Sequence, residues 1–206
     1  MIFSMFSDDG ISLEPTEAVR QRNLKLAERH RAKGDYVRHI EIDIKGSITE
    51  ELFCDVVEKL ASAPAAHSID LIIDCPGGEC FPAMLLHKQL RDHPAGRKTA
   101  HIVGSCESGG LLIALAADRR IASRTSSFLI HQSRCGEYSV TSWKAGDFQR
   151  QADQFRAIDA DMFALIAQRT NLDVSTIQNI ASDEEPSSIE WCLQNGVIHE
   201  IAEDRT

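Results

Sequence analysis

Gly104-Ser105-Cys106-Glu107-Ser108-Gly109-Gly110 is the stretch on which the fold turns. An apolar run, His101-Ile102-Val103, leads into it, and a helix-forming run from Leu111 to Ala117 leads out. A strand that becomes a helix through small residues leaves Ser108 at the junction. Its hydroxyl then lies at the positive end of the helix dipole, and neighbouring amides are free to face a developing anion. His131 stands 23 positions further on, after a second short apolar run, Phe128-Leu129-Ile130, where it can serve as a base. A nucleophile, a base and free backbone donors are what acyl transfer needs, so the spacing predicts a hydrolase of that type.

The rest of the composition bounds this expectation. A chain of 206 residues, 43% hydrophobic and 26% charged, fits one soluble domain with a substantial core. Its formal net charge of −9 argues against nonspecific affinity for nucleic acid. The opening residues lack a basic segment followed by an apolar core, so no signal peptide is expected. No apolar run approaches the ~18 residues of a membrane span. Cys54, Cys75, Cys80, Cys106, Cys135 and Cys192 lie mostly on predicted elements and their junctions, which predicts reduced thiols and a cytoplasmic protein. The Cys75–Cys80 spacing matches no common zinc pattern, and no metal or organic cofactor is expected.

Periodicity gives the element order. Residues 1–36 read as a mobile tail followed by a basic helical arm, with a helix over 15–33 closed by Gly34 and carrying Arg20, Arg22, Lys25, Arg29, Arg31 and Lys33. Residues 37–206 form the main domain. From Val37, Ile40, Ile42 and Ile44 alternate with polar residues, as in a half-buried strand. Ser47-Ile48-Thr49-Glu50 reads as a capping box opening a helix with Leu52, Phe53, Val56 and Leu60 on its apolar face. A buried strand over 69–74 ends in Cys75-Pro76-Gly77-Gly78, with a helix to about Leu90. Strands over 98–103, 119–122 and 127–130 follow, with a helix over 109–117. A long amphipathic helix then covers about 141–169, marked by Phe148, Ala152, Phe155, Ile158, Met162, Leu165 and Ile166. Helices near 173–181 and 187–195 and a strand from Val197 to Ile201 close the chain. Strand–helix alternation predicts an α/β layered domain.

From about Val37 to Ala202 this order resembles the proteolytic subunit of the Clp ATP-dependent protease, within the ClpP/crotonase superfamily. Three blocks carry the resemblance: Asp74-Cys75-Pro76-Gly77-Gly78, the Ser108 turn, and Leu129-Ile130-His131-Gln132. It implies a ClpP/crotonase-like layered βαβ domain with a long protruding handle helix. It also implies a serine endopeptidase in which Ser108 is the nucleophile, His131 the base, and the Gly78 and Gly109 amides the oxyanion donors. The family's acid falls at Asp183 or Glu184, with an ungapped count from His131 landing on Glu184. Its substrates would be peptides or unfolded proteins, and its assembly a homo-oligomer, as rings or smaller. An ATP-driven unfoldase would be its partner, since this chain has no phosphate-binding loop of its own.

The sequence departs from that pattern in places. Glu107 stands where the family has a small residue, Ser133 where it has proline, and Arg134-Cys135-Gly136-Glu137 where it has a glycine-rich, substrate-pairing strand. The basic arm does not look like the family's axial-loop segment, which puts the usual unfoldase contact in question. Three other readings stay open. A crotonase-like acyl-CoA hydratase or isomerase would use Glu107 as base, and a Ser–Lys hydrolase would use Lys144. A non-catalytic subunit would assemble or bind peptide without turnover.

Overall fold

The computed structural model describes residues 17–34, 38–134 and 142–203. The tail, Val37, Cys135 and the glycine-bearing segment after it, and the first position of the long helix expected at 141 lie outside these. Among the described residues, six parallel strands form one sheet in the order β1-β2-β3-β4-β6, with β5 also on β3: β1 His39–Lys45, β2 Ser68–Cys75, β3 Arg97–Glu107, β4 Arg119–Ala122, β5 Ser127–Leu129 and β6 Glu200–Ile201. The helices are α1 Glu17–Ala32, α2 Glu50–Ser62, α3 Cys80–Asp92, α4 Gly109–Ala114, α5 Ala145–Arg169, α6 Val174–Asp183 and α7 Ile189–Gln194. The α/β layered class expected from the sequence is the class observed.

The alternation in β1 works as predicted: Ile40, Ile42 and Ile44 are buried and their neighbours exposed. They pack under α2 and α3 with Ile69, Leu71 and Ile73 of β2 in one continuous core. Strand β3 is longer than its apolar run suggests, because its two halves take different neighbours on one edge. Thr99–Ile102 pairs with β4, and Ser105–Glu107 pairs with β5. Against β2 the register slips between Ile73 and Cys75. There the Asp74 carboxylate accepts the Ser105 N–H at 2.9 Å and lies over Gly104, where any Cβ would come within 2.2 Å of Asp74 Oδ1. A side chain at 104 would push the carboxylate aside and break its hydrogen bond to the Ser105 N–H.

Three features differ from the sequence expectation. The cap of α2 is Thr49, whose hydroxyl accepts the Leu52 N–H at 3.2 Å, not Ser47. Ile48 stays extended because it bridges Gly78, a contact 30 residues away that local pattern cannot reveal. The final strand begins at Glu200, since the Val197 and Ile198 amides turn back to Cys192 O and close α7. Helix α5 buries only Met162, Phe163, Leu165 and Ile166, while Phe148 of the expected stripe is 51% exposed. Its first half projects beyond the domain's own core.

The basic arm is not simply solvated. Ala27 of α1 is fully buried, Asn23 Nδ2 donates to Asp92 O at 2.7 Å, and Arg31 donates to Ala65 O and Ala66 O. Beside this contact lies His93. Its Nε2 is 3.0 Å from Ala63 O, and its Nδ1 is 3.2 Å from the Ala95 N–H that donates to it. Only a neutral ring protonated at Nε2 satisfies both, and burial accordingly pushes the pKa down to about 4. The folded value lies below the unfolded one of about 6.5, so stability is intact above pH ~6.5 and lost as pH falls toward 4. That loss should approach about 3 kcal/mol. Thermal melting between pH 7 and 4.5 checks this: the slope should shrink in His93→Gln, and an unchanged slope would remove His93 as its source.

Candidate active site

The Cys75-Pro76-Gly77-Gly78 turn leaves the end of β2 and meets the β3–α4 junction. Ser108 sits at that junction with φ 51° and ψ −123°, a left-handed conformation that a non-glycine residue adopts at a cost. The sharp turn lifts its side chain out of the sheet. A Cβ on Gly77 would stand 2.8 Å from Ser108 Cβ and 3.2 Å from its Oγ, so the glycine turn lies flush against the serine.

The backbone donors are arranged by the same contacts. Ser108 N–H donates to Leu129 O at 2.8 Å and is therefore spent. Ile48 N–H donates to Gly77 O at 2.8 Å, and Glu79 N–H donates to Ile48 O at 3.0 Å. This parallel bridge straddles Gly78 and leaves the Gly78 N–H out of the ladder, facing away from Ile48. A Cβ on Gly109 would lie 3.9 Å from the Gly78 nitrogen, so the two glycines sequence analysis singled out come together. Gly78 has φ 148°, and its own Cβ would fall 2.4 Å from Ile48 O. Gly78→Ala must therefore displace the bridge that aims this amide. In the acyl-transfer hydrolase expected from the sequence, the rate should then fall about 100-fold or more, the range typical of losing one oxyanion donor. A wild-type rate in that variant would remove Gly78 from the site.

His131 follows β5, half-buried, and shares a narrow cleft with Ser108, walled by Leu112, Met162, Phe163 and Ile166. Its Nδ1 is 2.6 Å from Gln132 O. A carbonyl only accepts, so this contact puts the proton on Nδ1 and leaves the Nε2 lone pair free. Among the described residues Ser108 and His131 share a cleft without a hydrogen bond between them, as is common in unliganded sites. Neither of the two candidate carboxylates lines this cleft. Asp183 is the exposed last residue of α6, and Glu184 caps that helix with φ 54° while ion-paired to Arg134.

The other candidates separate clearly. Glu107 Oε1 accepts the Ser127 hydroxyl at 2.7 Å, which holds it across the β3–β5 ladder. Lys144 caps the start of α5, 18 residues before Met162 of the cleft wall, or about 27 Å along the helix. A Ser108–Lys144 dyad is thereby excluded in this fold. Sequence reasoning missed one group beside the cleft. Asp159 Oδ1 accepts both the N–H and the hydroxyl of Ser133, at 2.7 and 2.5 Å, and Cys80 at the start of α3 contacts the same serine. Burial, with Asp159 adding to it, pushes the Cys80 thiol up and so disfavours its thiolate form. The signal was a polar residue at Asp159 beside the apolar stripe of α5, too common a pattern to stand out. Among the described residues no group of His, Cys, Asp and Glu is gathered as metal ligands, and no helix is long and apolar enough to cross a membrane. The five described cysteines are unbridged.

A family model described as Clp protease matches residues 28–205. The chain belongs to the Clp protease family. It is 29% identical over 150 residues to the ATP-dependent Clp protease proteolytic subunit 1 of Mycobacterium tuberculosis, covering 72% of each chain. It is 26% identical over 170 residues to proteolytic subunit 2 of Treponema denticola, covering 80% of this chain and 82% of that one. An uncharacterized protein of Methanocaldococcus jannaschii is 34% identical over 107 residues, which are 52% of this chain but only 37% of that longer one. Among solved structures, a ClpP1 mutant from Listeria monocytogenes superposes with a TM-score of 0.67 at 22% identity, covering 89% of this chain and 97% of that one. The parallel sheet and its helical layers are thus those of a ClpP/crotonase-like fold.

Proposed function

We propose that this chain is a cytoplasmic serine endopeptidase of the Clp type. The observation that carries the proposal is Ser108 held at φ 51° against Gly77, with the Gly78 and Gly109 amides beside it and His131 in the same cleft. His131 Nε2 takes the Ser108 proton as Oγ attacks the scissile carbonyl carbon. The oxyanion is held by the Gly78 and Gly109 N–H groups. His131 then gives the proton to the leaving amine. A water that loses its proton to His131 attacks the acyl carbon, and Ser108 departs with that proton. Glu184, with Asp183 beside it, is the carboxylate to stabilise the imidazolium, which requires it to leave Arg134. Substrates are peptides or unfolded proteins, the chain works as a homo-oligomer, and an ATP-driven unfoldase delivers folded substrates.

One observation favours a second reading, a non-catalytic subunit of such an assembly: Glu184 is bound to Arg134 and His131 Nδ1 to its own neighbour's carbonyl. A mixed peptide library incubated with the purified protein and sequenced by mass spectrometry separates the two. New termini formed at internal peptide bonds support the peptidase. An unchanged library on a folded oligomer supports the silent subunit, and hydration of an enoyl-CoA in place of cleavage would support the crotonase-like chemistry.

A further inference from the structure

Strand β5 ends at Leu129, so His131 is carried by chain that has left the sheet. Upstream it is anchored where Leu129 O receives the Ser108 N–H. Downstream, Ser133 is tied to Asp159 on α5, which takes both its donors on one oxygen, and the exposed Arg134 beyond it pairs with Glu184. Ser133 also touches Cys80, two residues beyond Gly78 on the opposite wall. We propose that Asp159 is a positioning residue, which fixes the His131-Gln132-Ser133 segment to α5 and so sets the imidazole against Ser108. The proposal rests on the reading of Ser108 and His131 as nucleophile and base.

Its physical content is orientation. A base displaced by about 1 Å costs on the order of 100-fold in rate, because the proton must move along a short, directed path. Asp159 need not touch substrate to have this effect. Its two accepted hydrogen bonds hold both the backbone and the side chain of Ser133, so that segment cannot rotate without breaking them. The role needs an acceptor at the position and not a charge. Asparagine, whose Oδ1 also accepts, should therefore preserve it, and leucine should abolish it.

The test is the saturation kinetics of covalent labelling by a fluorophosphonate, measured for the full chain and three variants. For Asp159→Leu the maximal labelling rate should fall about 10- to 100-fold with little change in the half-saturating concentration, as expected when orientation and not binding is lost. Asp159→Asn should stay within about threefold of wild type. Ser133→Ala, which removes one of the two donors and leaves Asp159 in place, should fall between them and keeps the test usable if Asp159→Leu does not fold. A wild-type maximal rate in a folded Asp159→Leu, or in Ser133→Ala should the leucine variant not fold, overturns the proposal. So does a loss in Asp159→Asn equal to that in Asp159→Leu. If wild type is not labelled at Ser108 at all, the peptidase reading fails first and the proposal with it.

Discussion

Ser108→Ala should lose peptide hydrolysis to background while keeping wild-type melting and oligomeric state. Alanine retains the Cβ that packs against Gly77 and removes only the hydroxyl, so the junction is undisturbed. Ser108→Gly should be equally inactive but behave differently in stability. The φ of 51° with ψ of −123° costs a residue with a Cβ on the order of 1–3 kcal/mol, and glycine largely escapes that cost. Against this stands the larger unfolded-state entropy of glycine, about 0.5–1 kcal/mol. The net expectation is a glycine variant as stable as wild type or more so, measured by denaturant unfolding. A strained serine that is retained in spite of that cost points to chemistry. A glycine variant markedly less stable than the alanine one would show that the turn is not strained and weaken the case for an activated serine.

The largest effect on stability is expected at Arg120, which is 2% exposed and, among the described residues, is held by backbone carbonyls with no carboxylate within salt-bridge distance. Its guanidinium donates to Val197 O at 2.7 Å, Gly196 O at 2.8 Å, Ala117 O at 3.0 Å and Arg169 O at 3.0 Å. Arg169 O is the last carbonyl of α5, while Ala117 lies in the turn after α4 and Gly196 and Val197 in the turn after α7, so one buried cation ties three chain turns together. Burial pushes its pKa down to about 10, with Arg169 adding to it, and the group still carries its charge at neutral pH. Arg120→Met would fill much of the volume and leave the carbonyls without donors. The expected loss is about 3–5 kcal/mol, as for breaking a buried charge network. At this chain length that corresponds to roughly 10 °C in melting temperature. Arg119 is the control: its pair with Glu200 is exposed, and Arg119→Ala should cost less than about 1 kcal/mol. Equal losses at the two positions would contradict the account of the network.

Local pattern revealed the elements whose burial is periodic, and it stopped where a distant contact decides. Ile40, Ile42 and Ile44 announce β1 by alternation alone. Thr49 displaces Ser47 as helix cap only because Ile48 must stay extended to bridge Gly78. Val197 and Ile198 look like strand residues, yet their amides are taken by Cys192 O. At the candidate site, Ser108, His131, Gly78 and Gly109 could be singled out because each belongs to a short contiguous motif. The partners of the two carboxylates could not. Asp183 and Glu184 sit at a helix end whose side-chain direction depends on Arg134, 50 positions earlier in the chain. Asp159 was invisible for the same reason, since its partner Ser133 is reached only through the packing of α5.

The central claim is that Ser108 is an activated nucleophile. Intact-mass measurement after exposure to a fluorophosphonate, on wild type and on Ser108→Ala, addresses it most directly. The account predicts a single adduct on wild type and none on the variant. A folded wild-type protein that takes up no adduct, or a variant that is labelled equally, would contradict it.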